Sequence, residues 1–532
     1  MAVEKGPGGA PRAPGRDPAV AKWLVTSAVL FGAVMGAIDT SVVNVALVHI
    51  QSTFGVTTQE VTWVSTAYLI AVVIVMPLTA WLGTVLGRKR MYVLAVLIFT
   101  TASVLCGLSR TLGQLILFRV LQGLGGGALQ PVAQAIMRET FPPEEQGQAM
   151  GFFGMIVLLG PAVGPTLGGW LTDNYSWPWI FFVNVPVGVI AVLMALRFVV
   201  DPPYMRGRGL QRIDAGGIGL LAVGLAALQT LLEEGEQDGW FQSSFITLLA
   251  VVALAALAAF VWWELRAPAP AVDLRILRDV SFAAGTFIGG VLGLALFGGL
   301  ILLPLFLQNL LGYDATQAGL AMMPRSLTMV LMMPIAGLLY NRLGVYVMLP
   351  FGLLLSGWAG LLMAHFTLST GPYQILVPQV VQGMGFAFMF VSLSTAALAT
   401  IPRAQMQGAA GLYNLVRQLG GSLGTAIVVT VLDHKLTTAS ANLVRYASLG
   451  NPLFVQWWQA FQEALMARGS DGATAGKQAL ALLSGLIAQQ AAVVAFDYAF
   501  AVIGVVFFLS LPLVALMRRA RPGGDLPPPP VE

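Results

Sequence analysis

Apolar positions fall in long continuous runs that recur along almost the whole chain, separated by short polar connections. Fourteen runs stand out, at 23–47, 61–83, 91–109, 113–136, 150–171, 179–199, 215–232, 244–264, 282–307, 316–340, 346–366, 373–399, 408–432 and 492–517. A bilayer-crossing helix needs about 20 mostly apolar residues. The runs do not alternate over ~10 residues as the strands of a membrane barrel do. The pattern therefore predicts an all-α membrane protein with fourteen spans.

Composition narrows the class further. Of 532 residues, 57% are hydrophobic and 10% charged, against about 25% charged in a soluble protein. Too few charges are present to cover a water-facing surface, and disorder demands the opposite balance. The mean hydropathy of +0.80 agrees. Sixty glycines suit helices that approach closely in lipid. One cysteine, Cys106, and three scattered histidines leave no disulfide and no metal cluster to expect.

The basic residues set an orientation. If both ends lie in the cytoplasm, 20 of the 28 basic residues are cytoplasmic. They include Arg88, Lys89 and Arg90 after span 2, Arg206, Arg208 and Arg212 after span 6, and Arg518, Arg519 and Arg521 at the end. The short outer loops hold only Arg110, and the acidic EEGEQDG between spans 7 and 8 is expected to face out. The net charge of +4 then reflects topology and anionic headgroups, and no nucleic-acid partner is expected.

The Gly/Pro-rich leader lacks a signal-peptide core. The expected organisation is a disordered cytoplasmic tail at 1–21, a six-helix half at 22–200, two inserted spans at 201–266, a second six-helix half at 267–517 with an outer segment at 434–490, and a second tail at 518–532.

An internal repeat supports this division. PLTAWLGTVLG from Pro77 and PIAGLLYNRLG from Pro334 share four of eleven positions, and RVLQGLG from Arg119 and QVVQGMG from Gln379 share four of seven. The offsets are 257 and 260 residues. Two six-helix halves related by an axis along the membrane normal resemble the major-facilitator arrangement.

Charges inside the spans need a reason, since one at the bilayer centre costs at least ~2.5 kcal/mol. Asp39 in span 1 fits two readings: a proton carrier in a partly dry pocket, or a structural carboxylate paired with an arginine. Arg119 in span 4 shares a helical face with Gln122 and Gly123, as a tuner of a nearby carboxylate, an attractor of anionic substrate, or a fixed ion pair. Arg417 in span 13 lies on a stripe with Tyr413, Asn414, Gly421 and Gly424, for substrate, gating or helix-packing bonds. Asp497 in span 14 is a proton or gate residue or an interfacial one. Arg325, after Pro324 near the outer end of span 10, is expected to snorkel.

Span 5 spaces Gly160, Gly164 and Gly168 about one turn apart and carries Pro161 and Pro165. Prolines remove backbone donors and kink a helix, so a smooth, kinked helix able to rock on a neighbour is one reading and tight packing the other. Met322, Met323, Met329, Met332 and Met333 in span 10 suit either adaptable ligand contact or lipid.

Together these segments resemble the fourteen-span drug:proton antiporter family of the major facilitator superfamily, above all its EmrB branch. The resemblance rests on IDTSVVNVAL from Ile38, RVLQGLGGG from Arg119, GPAVGPTLGG from Gly160, WPWIFFVNVPVG from Trp177, IDAGG from Ile213 and GLYNLVRQLGGSLGTAI from Gly411. It implies proton coupling through Asp39 with Arg119 as relay, and an alternating-access hinge at the span 5 glycines and prolines. Asn44, Gln122, Tyr413, Asn414 and Arg417 are expected at the substrate cavity or its gate. The family's latch aspartate after span 2 is replaced by Thr84, with Asn341 after span 10, leaving Arg88, Arg342 and helix ends to latch the halves.

In segment 434–490, Phe454, Trp457, Trp458, Phe461 and Leu465 lie on one face of an amphipathic helix, and Leu480, Leu483, Leu486 and Ile487 suggest a second. A hairpin on the membrane surface is one reading. The resemblance implies another: docking, through Phe454, Trp457, Trp458 and Phe461, to an EmrA-like periplasmic adaptor that works with an outer-membrane channel.

The expected function is proton-driven export of hydrophobic or amphipathic compounds across a bacterial inner membrane, with protons as coupling ion and no other cofactor. Three rivals remain: export of a single endogenous substrate such as a fatty acid or lipid, uptake by symport, which the resemblance of span 5 to an exporter signature disfavours, and a multi-span membrane enzyme. The enzyme reading lacks the usual cluster of His, Asp or Glu at one membrane face.

Overall fold

The computed structural model describes residues 18–201, 214–448 and 450–517. Residues 1–17 and 518–532 of the expected tails, with Arg518, Arg519 and Arg521, lie outside the described residues, as do Arg206, Arg208, Arg212 and Ile213.

The described chain is helical throughout. The helices are α1 (Pro18–Phe54), α2 (Thr58–Leu86), α3 (Arg88–Gly107), α4 (Leu112–Thr140), α5 (Gln146–Asn174), α6 (Trp179–Phe182), α7 (Asn184–Phe198), α8 (Ala215–Glu234) and α9 (Ser244–Glu264). They continue with α10 (Val280–Asn309), α11 (Ala315–Leu343), α12 (Val345–Met363), α13 (Pro372–Ala396), α14 (Met406–Val444), α15 (Pro452–Met466) and α16 (Gly472–Ser510). Among the described residues 14 helical segments are long and apolar enough to cross a membrane, α6 and α7 together forming one. Large apolar side chains stay exposed on their outer faces, such as Leu248, Leu254 and Trp262 of α9, as suits helices that face lipid. The protein is a multi-pass membrane protein.

Local chemistry sets several helix starts. Thr57 caps α2 and Asp314 caps α11, each reciprocated by the side chain three residues on, Glu60 and Gln317. The last glycine of the internal repeat has a backbone reason. Gly87 and Gly344 follow α2 and α11 with φ of +78° and +73°, a region closed to most side chains.

The packing is pseudo-symmetric. Within the first half α1 packs on α5, α2 on α4, α3 on α4 and α7, and α1 on α7. The counterparts are α10 on α14, α11 on α13, α12 on α13 and α16, and α10 on α16. Across the interface α2 meets α14 and α5 meets α11. Glycines allow these approaches: a Cβ on Gly127 would stand 2.6 Å from the Val72 carbonyl, and one on Gly293 2.1 Å from the Arg417 carbonyl.

The inserted helices α8 and α9 pack on each other, and α8 lies on both α2 and α14. Gln229 donates to Ser422 at 2.7 Å and Thr66 to Glu234 at 3.4 Å, so α8 is bonded to both halves. Glu234 belongs to the acidic segment expected to face out, yet it is buried.

The outer segment differs from the sequence expectation. Helix α14 runs on to Val444, and 480–487 is no separate helix but part of α16, which starts at Gly472. Polar Gln478, Ser484, Gln489 and Gln490 interrupt the apolar run without interrupting the helix. Helix α15 folds back on the start of α16, where Trp458 Nε1 donates to the Gly476 carbonyl at 3.1 Å and Gln462 to that of Gly472 at 3.0 Å.

Candidate functional site

Successive spans alternate in direction, so the end where α1 begins is called the base and the opposite end the rim. Near the middle of α1, Asp39 is 1% exposed. Arg119 Nη1 reaches its Oδ2 at 2.6 Å. Gln122 Nε2 and Asn184 Nδ2 donate to Oδ1 at 2.8 and 2.9 Å, and both amides also donate to Ser103 Oγ at 2.9 Å. The guanidinium donates further to Gln122 Oε1 at 2.6 Å and the Val64 carbonyl at 3.0 Å, and lies 4.1 Å from the centre of the Tyr68 ring.

Each side chain arrives for a local reason. Arg119 and Gln122 sit three apart on one face of α4, which Gly123 and Gly127 hold against α2. Asn184 opens α7 directly after Val183, which joins α6 to α7 with right-handed helical dihedrals. Pro186 follows in the first turn of α7, where no N–H is required. Of the two readings of Asp39, this conformation realises the paired one. A carboxylate and a guanidinium that satisfy each other, with neutral amides taking the remaining lone pairs, meet the conditions under which an ion pair survives burial.

A second cluster lies at the interface of the halves. Asn414 Nδ2 donates to Gln134 Oε1 at 2.7 Å, and Arg417 Nη2 to Gln130 Oε1 at 2.8 Å and Asn414 Oδ1 at 3.0 Å. Arg417 also lines a small cavity whose other walls are Leu158 of α5, Leu292 and Leu296 of α10, Met329 of α11, and Phe386 and Phe390 of α13. The Arg417 Nε and the Tyr413 hydroxyl are buried without a hydrogen-bond partner among the described residues.

Baseward of this cavity the halves are bonded together. Gln407 Nε2 donates to the Thr79 carbonyl at 2.8 Å, Arg138 Nη1 to the Thr395 carbonyl at 2.8 Å, and Arg88 Nε to Gln407 Oε1 at 3.4 Å. Arg88 also pairs with Glu139. Of the expected latch groups Arg88 is engaged, Thr84 bonds within its own helix, Asn341 lies against Gly147, and Arg342 is exposed.

The other expected residues are dispersed. Asn44 is exposed on α1 and accepts from Ser65 at 3.0 Å. Asp497 is half-buried on α16, in the opposite half from Asp39, with Oδ1 unpartnered among the described residues. Gly160, Gly164 and Gly168 pack on Ala37, Ser41 and Val42 of α1. Helix α5 runs unbroken through both prolines; Pro165 is exposed, and the Pro161 side chain lies outside the described residues. On α15, Trp457 is exposed while Phe454, Trp458 and Phe461 are half-buried. The span 10 methionines divide, Met329 and Met333 being buried and Met323 exposed. Arg325 does not snorkel: it is 2% exposed, with Nη1 3.5 Å from Gln382 Oε1. It stands ten residues into α11, about 15 Å from the rim end at 1.5 Å per residue, too deep for its side chain to reach water.

Sequence reasoning missed Asn184, Ser103, Gln130 and Gln134. The signals present were an asparagine before proline in FVNVP and two glutamines four apart on α4.

Comparison with known proteins agrees with the fold and the motifs. The family model described as Major Facilitator Superfamily matches residues 29–425. The chain is 34% identical to the multidrug export protein EmrB of Escherichia coli K12 over 434 residues, 81% of this chain and 84% of that protein. It is 30% identical to the fatty acid resistance protein FarB of Neisseria gonorrhoeae over 500 residues, 93% of this chain and 96% of that protein. The fold superposes on the human organic anion transporter MFSD10 with a TM-score of 0.58 at 16% identity, covering 94% of this chain and 100% of that one. The chain therefore belongs to the major facilitator superfamily of transporters, in the branch of the EmrB-like drug exporters.

Proposed function

We propose that the protein is a proton-driven antiporter that exports hydrophobic or amphipathic compounds across a bacterial inner membrane, with both termini cytoplasmic, protons as its coupling ion and no other cofactor. The observation that carries this reading is the Asp39–Arg119 pair, buried at 2.6 Å in the interior of a membrane protein. A proton taken up by Asp39 cancels the charge that holds Arg119, Gln122 and Asn184 in place. Three helices besides α1 are tied to that carboxylate through Arg119, Gln122, Ser103 and Asn184, so protonation loosens α1 against α3, α4 and α7. The base-side bonds of Arg88, Gln407 and Arg138 fit a conformation closed to the cytoplasm, from which this loosening permits reversal. Gly160, Gly164 and Gly168 leave no side chain to catch as α1 and α5 shift.

The driving force suffices for concentrative export. A potential of 100 mV is worth ~2.3 kcal/mol per charge, a gradient of roughly 40-fold, and one pH unit adds ~1.4 kcal/mol. No chemical transformation of the cargo and no nucleic-acid partner enter this reading. An EmrA-like periplasmic adaptor with an outer-membrane channel completes it, docking on α15. A narrower cargo, a fatty acid or similar lipid, is favoured by the alignment with FarB, which spans 93% of the chain against 81% for EmrB.

The test is Asp39→Asn in everted vesicles. Export driven by a pH gradient is expected to vanish while membrane insertion stays normal; undiminished gradient-driven export by that variant refutes the role of Asp39.

A further inference from the structure

The two halves balance their buried charge differently. In the first, Arg119 is neutralised by Asp39. In the second, Arg325 and Arg417 are 2% and 8% exposed, and neither is part of any ion pair among the described residues. A third buried guanidinium, Arg138, has an evident partner in the Thr395 carbonyl at the C-terminal end of α13, where a cation is favoured by the helix dipole. Arg325 and Arg417 lie within their helices and among the described residues meet only neutral groups, amides for both and for Arg417 also the Phe390 ring, whose centre is 5.8 Å from the guanidinium. Gln382, Gln130 and Asn414 each satisfy an N–H but cancel no charge. A buried cation without a counter-ion is unfavourable, so an anion that reaches either group gains what the protein has left unsatisfied.

In this conformation the cavity beside Arg417 is apolar and holds little more than one water molecule, so a place for the anion forms only as the halves part. Arg417 is the one charged residue lining the small cavity between the halves. Among the described residues its Nε–H has no acceptor, and one turn below it on α14 the Tyr413 hydroxyl has no partner either. Both stand along the α10–α14 contact, Tyr413 against Gly289 and Arg417 against Gly293. Arg325 lies one turn rimward of the cavity wall: Met329, Phe386 and Leu296 each have a residue of its surroundings one turn nearer the rim, namely Arg325, Gln382 and Gly299. The remaining walls are apolar.

We propose that Arg417, with the Tyr413 hydroxyl, binds the negatively charged head of an amphipathic cargo, whose apolar tail lies against Leu292, Leu296, Met329 and Phe390, and that Arg325 keeps the rimward route positive. The inference rests on the reading of the space between the halves as the cargo route. A carboxylate accepts a bidentate fork from a guanidinium more readily than any neutral head can. A single cation in an apolar chamber selects against cationic amphiphiles by repulsion.

Equilibrium binding to the full chain in lipid nanodiscs tests this, with empty nanodiscs subtracted. The probes are laurate, dodecyltrimethylammonium and dodecanol, which share one tail and differ in head charge. Laurate is expected to bind at least ~10-fold more tightly than dodecanol, in keeping with a charge-assisted bond. Arg417→Gln is expected to lose that ~10-fold while altering dodecanol binding less than ~2-fold, with Arg417→Lys intermediate because a point charge without the fork remains. Arg417→Gln should also raise the thermal midpoint of the ligand-free protein, since it removes an uncompensated buried charge; a misfolded variant lowers it. Tyr413→Phe should weaken laurate binding alone. The proposal is overturned if dodecanol binds as tightly as laurate, or if laurate binding is indifferent to Arg417→Gln. It is equally overturned if sodium chloride or inorganic phosphate alone produces the same Arg417-dependent stabilisation, because the site then takes a small ion. Export of dodecyltrimethylammonium on a proton gradient with no preference for laurate defeats the anion site and leaves the antiporter standing. Arg417-dependent laurate binding in a chain that exports nothing does the reverse.

Discussion

Asn184 Nδ2 meets Asp39 Oδ1 at 2.9 Å across 145 residues of chain, joining the sixth span to the first. The same amide holds Ser103, so α1, α3 and α7 converge on one side chain. Asn184→Ala leaves the carboxylate with a donor fewer and Ser103 half-satisfied. Removing one partner of a buried hydrogen bond costs about 1–3 kcal/mol. The expected outcome is a lower thermal midpoint with the chain still inserted. Asn184→Ser, which keeps a donor, should recover part of that loss. An unchanged midpoint in Asn184→Ala would show that the contact contributes nothing to this conformation.

The Asp39–Arg119 pair makes a sharper energetic prediction. Breaking a buried ion pair from one side costs about 3–5 kcal/mol, because the survivor remains charged and unpaired. Arg119→Gln should therefore destabilise strongly, whereas Arg119→Gln combined with Asp39→Asn should be milder than either change summed with the other. Thermal unfolding of the four proteins in one lipid mixture measures the coupling. Additive effects would mean that the two groups do not interact in the working protein. Neither the double variant nor Asp39→Asn is expected to couple transport to protons.

Much of this arrangement was legible in the chain. Asp39, Arg119 and Gln122 stood out because each is a polar group inside an apolar run, and a three-residue spacing on α4 put the last two on one face. Asn184 and Ser103 did not, since a lone neutral side chain in a span is compatible with many packings. Arg325 was expected to snorkel from near the outer end of span 10; the span began where expected, but the side chain is buried against Gln382 ten residues into α11. Segment 434–490 was expected to hold a second, separate helix around 480–487, because an apolar-run criterion detects lipid contact, whereas α16 is helical continuously from Gly472. The repeat was legible in its two short motifs, and Gly87 and Gly344 show why its last position was kept.

The base contact offers a conformational test. A Cβ placed on Gly408 would lie 3.2 Å from that of Ala80, slightly inside the ~3.5–4.5 Å of a disulfide. Ala80→Cys with Gly408→Cys should therefore crosslink under mild oxidation, locking α2 to α14 at the base. The single native cysteine, Cys106, is buried and is not expected to compete. Export should stop on oxidation and return on reduction. Full export by the oxidised, crosslinked protein would mean that the base contact persists throughout the cycle and is no gate.

The hairpin of α15 on α16 separates packing from docking. Trp458 donates to the Gly476 carbonyl and is half-buried, whereas Trp457 is 58% exposed and stacks near Phe461 at 5.9 Å. Trp458→Ala should loosen the hairpin, seen as faster amide exchange over 472–480, because it removes both the hydrogen bond and buried ring surface. Trp457→Ala should leave exchange unchanged. If α15 is a docking surface for an adaptor, Trp457→Ala should lower resistance in intact cells while export into everted vesicles, which needs no adaptor, stays normal. A parallel fall in both assays would place Trp457 in the transport cycle itself. No change in either would make α15 a surface hairpin whose aromatic residues serve the bilayer interface, where tryptophan is favoured by an apolar ring with a polar edge.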